Sequence, residues 1–398
     1  MWTVTYERGK MREKCSLHVR HVAIATGHHS TPNLPRFPGQ ESFVGQVLHS
    51  VRYKCAASSG IAPGSRVLVV GMGNSAVDIA DNLVTQGQCR VEISARSPTW
   101  VFSPYVLGRP CDHYATRALY TLPLHIVEKI VQTLMCLILG LPAQWGVYPC
   151  SSILRAQPTV SHTLYHHIQR GSVALRPHIT SLGPKKKIAF SDGSTDWYDA
   201  VVMATGYTFS LPSLHKDVRE HVMRGENEVN LYKNVFSPRY GHSLGFIGLV
   251  QPSSGGLVTM SELQARWMAE LVAGSAHLPT PDQMQRAIDQ DRSWERSWYY
   301  NSKRLTIQKI PVLYNDEIAD LIGCKPRVSA HPTLAWNLLL SASAFHWRLD
   351  GPGKWKGAEE MVRRIKPVPF YHYTALFLLT LVAIFVLGLL RCVLLLYV

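Results

Sequence analysis

Four apolar residues in a row, Val67 to Val70, are followed by a glycine-punctuated turn and then by apolar positions at helical spacing. The run predicts a buried strand of a parallel sheet. Ile79, Ala80 and Leu83 mark the inner face of the helix that follows. Further buried strands are expected over 89–94, 19–26, 173–176, 199–205 and 244–250. Residues 187–190 with Asp192-Gly193 read as a hairpin. A helix is expected from about 261 to 273, with Ser261 as N-cap and Gln264 three residues on completing a capping box. Residues 28–66 are loop-rich, and 98–165 look irregular and partly helical. The order implies an α/β fold.

Two stretches are too apolar for ordinary surface. Residues 130–141 are too short to span a bilayer comfortably and stop at Pro142; a core helix and a helix lying in a membrane face both fit. Residues 373–398 are almost continuously apolar, with Arg391 the one charge. Such a run can cross a hydrocarbon core of about 30 Å as a helix. Arg363, Arg364 and Lys366 precede it, so the charge rule leaves the preceding domain in the cytosol and makes the run a C-terminal single-pass anchor. The alternative is a helix buried in a soluble core. The first residues lack the apolar region of a signal peptide.

Composition narrows the partners. The chain has 398 residues, enough for two or three domains, and a net charge of +14. That favours acidic partners. The basic residues are scattered, with only Lys185-Lys186-Lys187 as a run, and no nucleic-acid module is evident. A phosphorylated cofactor and membrane lipid are the better explanations. The eight cysteines form no C-x-x-C pair, which fits reducing cytosol. His28-His29 and His166-His167 lack further ligands at metal-site spacing, so no metal is expected. Tyr299 and Lys303 mimic a short-chain dehydrogenase pair but lie too far from the glycine turn for that layout.

The glycine turn carries the chemistry. In Gly71-x-Gly73-x-x-Ala76, the first Gly permits a tight turn and the second lets a pyrophosphate approach bare backbone. Ala76 lets the helix pack on the strand, and the helix N-terminus holds the phosphates. The next strand ends in Ser94-Ala95-Arg96-Ser97. An NAD site would usually carry an acidic residue there; Arg96 suits the 2′-phosphate of NADP instead. The plain alternative is a solvated arginine. Two predicted strands end in Ala-Thr-Gly, at Ala25-Thr26-Gly27 and Ala204-Thr205-Gly206, one on each side of this unit. The pair suggests one unit inserted into another, although ordinary glycine turns explain each alone.

Taken together, the sequence resembles the flavin-containing monooxygenases of the endoplasmic reticulum. Phe43-x-Gly45-x-x-x-His49-x-x-x-Tyr53 matches that family's identifying motif, and its aromatic end differs from that of the related Baeyer–Villiger enzymes. Gly71-Met72-Gly73-Asn74-Ser75 with Asp78 is similar to the NADP loop, and Ser94-x-Arg96-Ser97 to the 2′-phosphate contact. Ala204-Thr205-Gly206-Tyr207 resembles the ATGY signature. Ile247 to Pro252, including Gln251, and Ser261-Glu262-Leu263-Gln264-x-Arg266-Trp267 are similar to the segment flanking the flavin. Gly351-Pro352-Gly353-Lys354-Trp355 and the apolar tail extend the match.

The resemblance implies a two-dinucleotide-binding-domain flavoprotein using FAD and NADP. Its cofactor-binding residues would be Gly71, Gly73, Asn74, Ser75, Ala76, Arg96, Thr205, Gly206, Gln251 and Ser261. It divides the chain into an FAD-domain remnant (1–45 and 204–330), an NADP domain (46–203), a C-terminal subdomain (331–372) and the anchor (373–398). The chemistry implied is oxygenation of a soft nitrogen or sulfur of a small amine or thioether by O2, through a C4a-hydroperoxyflavin, at the cytosolic face of the endoplasmic reticulum membrane. The cofactor carries that chemistry, so no catalytic side chain is assigned. One departure stands out. The family has two glycine-rich loops, and this sequence has only the second, as though its first FAD-binding βαβ unit were missing and Met1 fell inside a strand of that domain. A non-catalytic, membrane-anchored NADP-binding remnant is therefore the alternative, and a soluble dehydrogenase a third option.

Overall fold

The computed structural model describes residues 1–225, 227–302 and 304–369, with 372, 378, 381 and 382. Among them no helix is long and apolar enough to cross a membrane; the expected anchor over 373–398 lies almost wholly outside the described residues.

Two compact units emerge. The first, the nucleotide unit, comprises Thr31–Cys111 and Leu122–Tyr207. Its centre is a five-stranded parallel sheet in the order Val173–Arg176, Arg90–Ser94, Arg66–Val70, Ala200–Met203, Gln46–His49. Val67, Leu68 and Val69 are fully buried, as expected for a central strand covered on both faces. One face packs on the helix Asn74–Thr85 through Ala76, Val77, Ile79, Ala80 and Leu83. The other packs on an antiparallel three-stranded sheet, Ile179–Leu182, Lys187–Phe190 and Thr195–Trp197. The expected hairpin at Asp192-Gly193 joins the last two of these strands.

The apolar stretch expected over 130–141 belongs to a helix that starts earlier, Leu124–Leu139. It does two things at once. Val127, Ile130 and Met135 are buried, whereas Leu137 and Ile138 near its end are exposed.

The second, helical unit comprises Met1–Ser30, Asp112–Thr121 and Thr208–Val368. It opens with an antiparallel hairpin, Trp2–Arg8 with Glu13–Val19. The single strand expected over 19–26 is thus two: the end of this hairpin and a short strand Val22–Ile24, paired in parallel with Leu244–Phe246. The latter strand is shorter than the expected 244–250, because Gly248 turns the chain at positive φ. Helices Leu257–Ala273, Pro281–Trp298 and Pro311–Leu321 bury Trp267, Met260, Ile288 and Ile318 in one core.

Residues 331–368 fall within this unit. Arg117 binds Asp316 in a two-pronged ion pair and also reaches His346 and the Leu338 carbonyl, while the Trp347 indole donates to Asp316. These bonds tie the 338–347 stretch to the same core.

Candidate functional site

The strand Arg66–Val70 ends at Gly71, whose φ of 119° suits glycine alone. A Cβ there would also lie 2.4 Å from the Ala204 carbonyl oxygen, because the neighbouring strand Ala200–Met203 ends alongside. The Gly71 N–H donates to the Ser94 carbonyl at 2.8 Å, which joins the turn to the tip of the adjacent strand. Gly73 then caps the helix in extended conformation, with nothing within 4 Å of the space a Cβ would fill.

The consequence is a set of unspent donors. The N–H groups of Gly73, Asn74 and Ser75 have no acceptor among the described residues. They sit at the positive end of a twelve-residue helix, and the space a Cβ on Gly73 would take is open. Ala76 is fully buried against the sheet. Arg96 lies two residues beyond the strand Arg90–Ser94, which runs in register beside the turn (Val70 opposite Ser94). It is exposed and makes no hydrogen bond or ion pair among the described residues. Backbone donors for a bridging pyrophosphate and a free guanidinium for a further phosphate therefore stand on adjacent strand ends.

Thr205 and Gly206 lie in this same unit. Thr205 donates to the Asn33 carbonyl, Asn33 returns a bond from its side chain to the Thr205 carbonyl at 3.3 Å, and the Asn33 N–H meets the Gly206 carbonyl at 3.0 Å. His49 joins them. Its Nδ1 accepts from the Val51 N–H at 3.2 Å, so the proton is on Nε2, which donates to the Gly206 carbonyl at 3.0 Å. Burial lowers the His49 pKa despite the Gly206 bond and keeps the ring neutral.

The identifying motif thus has a structural logic. Gly45 leaves room for the Phe43 ring, 2.6 Å from where a Cβ would stand. His49 clasps the loop after the strand Ala200–Met203. Tyr53 donates to Asn82 on the helix Asn74–Thr85 at 2.7 Å, and burial pushes its hydroxyl up to about 12. Asp78 on the same helix is raised by burial and by Asp81, with His162 opposing.

The remaining expected residues are in the helical unit. Gln251 begins a two-residue strand paired in parallel with Gln308–Lys309. Its register partner Gln308 is fully buried, and neither end of its amide has a partner among the described residues. An orphaned buried amide is costly unless water or a ligand meets it. Sequence reasoning passed over Gln308, which carries no motif.

Ser261 is not an N-cap. The helix starts at Leu257 with Gly256 as cap, and the Ser261 hydroxyl donates back to the Leu257 carbonyl at 3.1 Å from inside the helix. Gln264 is likewise interior: it accepts from the Gly248 N–H and donates to the Tyr314 hydroxyl, each at 2.7 Å. The apparent capping box was two helix-interior residues bonded elsewhere. Among the described residues no cluster suits a metal ion.

Residues 1–369 match the family model of flavin-binding monooxygenase-like proteins. The chain belongs to the flavin-binding monooxygenase-like family. Human flavin-containing monooxygenase 3 is 32% identical over 96% of this chain and 75% of its own length. Flavin-containing monooxygenase 5 of Oryctolagus cuniculus is 35% identical over 87% of this chain and 66% of its own. Among solved structures, S-allyl-L-cysteine S-oxygenase from Allium sativum superposes with a TM-score of 0.55 at 20% identity, covering 91% of this chain and 63% of that one. An open cyclohexanone monooxygenase gives 0.52 at 15% identity, covering 81% and 74%. These likenesses show a mixed α/β flavoprotein monooxygenase fold. The family is one of monooxygenase enzymes that use FAD and NADP.

Proposed function

We propose that this member of the family binds NADP(H) in its nucleotide unit and serves NADPH- and FAD-dependent oxygenation of a soft nitrogen or sulfur in a small molecule. The observation that carries the reading is the trio of unpartnered N–H groups at 73–75 beside the unpaired Arg96. Gly71 sets the turn, Gly73, Asn74 and Ser75 would hold the pyrophosphate, and Arg96 the 2′-phosphate. Bound there, the reduced nicotinamide supplies a hydride. Thr205, Gly206 and His49 fix the loop beside the central strand rather than touch a reacting atom.

The fit to FAD is partial. The orphaned Gln308 amide beside Gln251 suits a polar ligand, but the sequence holds no second Gly-x-Gly-x-x-Gly/Ala turn after a strand. No step is therefore assigned to flavin here. A second reading is a membrane-anchored NADP-binding protein without catalysis. Bound flavin and NADPH oxidation by the purified chain separate the two: NADPH-dependent oxygenation supports the first, and NADP binding without turnover the second. In both, 373–398 anchors the chain at the cytosolic face of the endoplasmic reticulum membrane; release by salt rather than detergent would refute the anchor.

A further inference from the structure

The nucleotide turn is held from behind by a segment far away in sequence. Thr159 is fully buried, and its hydroxyl donates to the Met72 carbonyl. The next residue donates too: the Val160 N–H meets the Asn74 side-chain oxygen at 2.8 Å. Thr159–Val160 is itself fixed as a short parallel strand on Val101–Phe102, with the Thr159 N–H on the Trp100 carbonyl at 2.8 Å and the Ser161 N–H on the Phe102 carbonyl at 3.0 Å. Val101 follows Arg96 by five residues. One small strand therefore braces the glycine turn and pairs with the chain that leaves the Arg96 tip.

The Met72 carbonyl and the Gly73 N–H belong to one peptide group. In a planar trans peptide they point in opposite directions. A carbonyl tethered on the Thr159 side therefore aims the Gly73 N–H to the other side, and that donor has no protein partner among the described residues. Without the tether, this peptide could flip and present a carbonyl oxygen to the incoming phosphate, replacing attraction by repulsion. Glycine at 73 makes such a flip easy.

We propose that Thr159 is a positioning residue for the dinucleotide pyrophosphate: its hydroxyl locks the Met72–Gly73 peptide with the N–H toward the anion. The proposal rests on the NADP reading above and extends it to a residue that touches no ligand. The pyrophosphate is common to NAD and NADP, so the lock serves both equally, whereas Arg96 serves only NADP.

The test uses the full chain, titrated with NADP and with NAD, as wild type, Thr159→Ser, Thr159→Cys, Thr159→Val and Arg96→Ala, each with a melting curve. Thr159→Ser keeps wild-type affinity. Thr159→Val, similar in shape but without the donor, loses roughly tenfold for both nucleotides with their ratio unchanged, about what one hydrogen bond can contribute. Thr159→Cys, a weak donor, falls between. Arg96→Ala changes the ratio instead. If Thr159→Val does not fold, the comparison of Cys with Ser carries the result. Undiminished binding in Val, or in Cys where Val is unfolded, overturns the lock while leaving the nucleotide site intact; so does a loss confined to NADP. A wild-type chain that binds neither nucleotide removes the nucleotide reading itself and the lock with it.

Discussion

Gly71 and Gly73 sit two residues apart and are needed for different reasons. Gly71 is a folding residue: a side chain there meets both a positive φ and the Ala204 carbonyl. Gly71→Ala should cost about 3 kcal/mol of stability, read by chemical denaturation. Gly73 has extended φ and empty space around it. Gly73→Ala should cost about 1 kcal/mol, the usual penalty for alanine at a helix cap, yet weaken NADP binding by about tenfold or more by crowding the phosphates. Equal nucleotide affinity in Gly73→Ala would mean that no ligand passes close to this backbone. Arg96 provides the matching specificity test. One lost charge-assisted bond predicts about a 10- to 100-fold fall in NADP affinity for Arg96→Ala with NAD unaffected, measured as paired dissociation constants.

At the scale of elements, the unit 66–96 was legible because its signals are local: an apolar run, a glycine turn, a helical period and an arginine at a strand tip. The N-terminus of Leu257–Ala273 was misread because Ser261 and Gln264 imitate a capping box, while the true cap, Gly256, has no side chain to announce it. The Thr159 tether was invisible because its partner lies 87 residues away. The same holds for the charge network across the sheet. Glu92 accepts from Arg66, Arg176 and the Tyr198 hydroxyl, and both arginines also reach Asp196. Burial alone would raise the Glu92 pKa, but the bonds from Arg176, Arg66 and Tyr198 outweigh it and hold the carboxyl below its ordinary value. A depressed folded-state pKa means stability that is full above the unfolded value and lost as pH falls through the folded one. Glu92→Gln should therefore cost about 1–3 kcal/mol near neutral pH, because it leaves the two partly buried guanidinium groups to share the Asp196 carboxylate. The gap to wild type should narrow in acid, below the ordinary glutamate range. Denaturation curves across that range check both parts, and a gap independent of pH would remove Glu92 as the source.

For the molecule as a whole, the question is how much of a two-nucleotide flavoenzyme this chain carries. A dinucleotide is held chiefly through its phosphates, and those need unpaired backbone donors at a glycine turn. The nucleotide unit supplies such a turn, and the sequence supplies no second one. The helical unit offers instead a parallel pair, Val22–Ile24 with Leu244–Phe246, and a buried amide at Gln308. Neither carries the Gly-x-Gly-x-x-Gly/Ala signature of a phosphate cradle. Ring contacts without a phosphate cradle leave most of the charge of FAD in water, so affinity for flavin should be weak even where the polar edge is complemented. The chain expressed and purified alone should therefore carry flavin far below one equivalent, while retaining NADP binding that responds to Arg96 and Thr159. Flavin released by heat and quantified by fluorescence, set against protein concentration, decides it. Stoichiometric flavin would show that 398 residues build a second phosphate site from backbone that no glycine signature marks. Gln308→Leu would then tell whether the orphaned amide takes part, since loss of flavin in that variant with NADP binding intact would place the ring edge at Gln308.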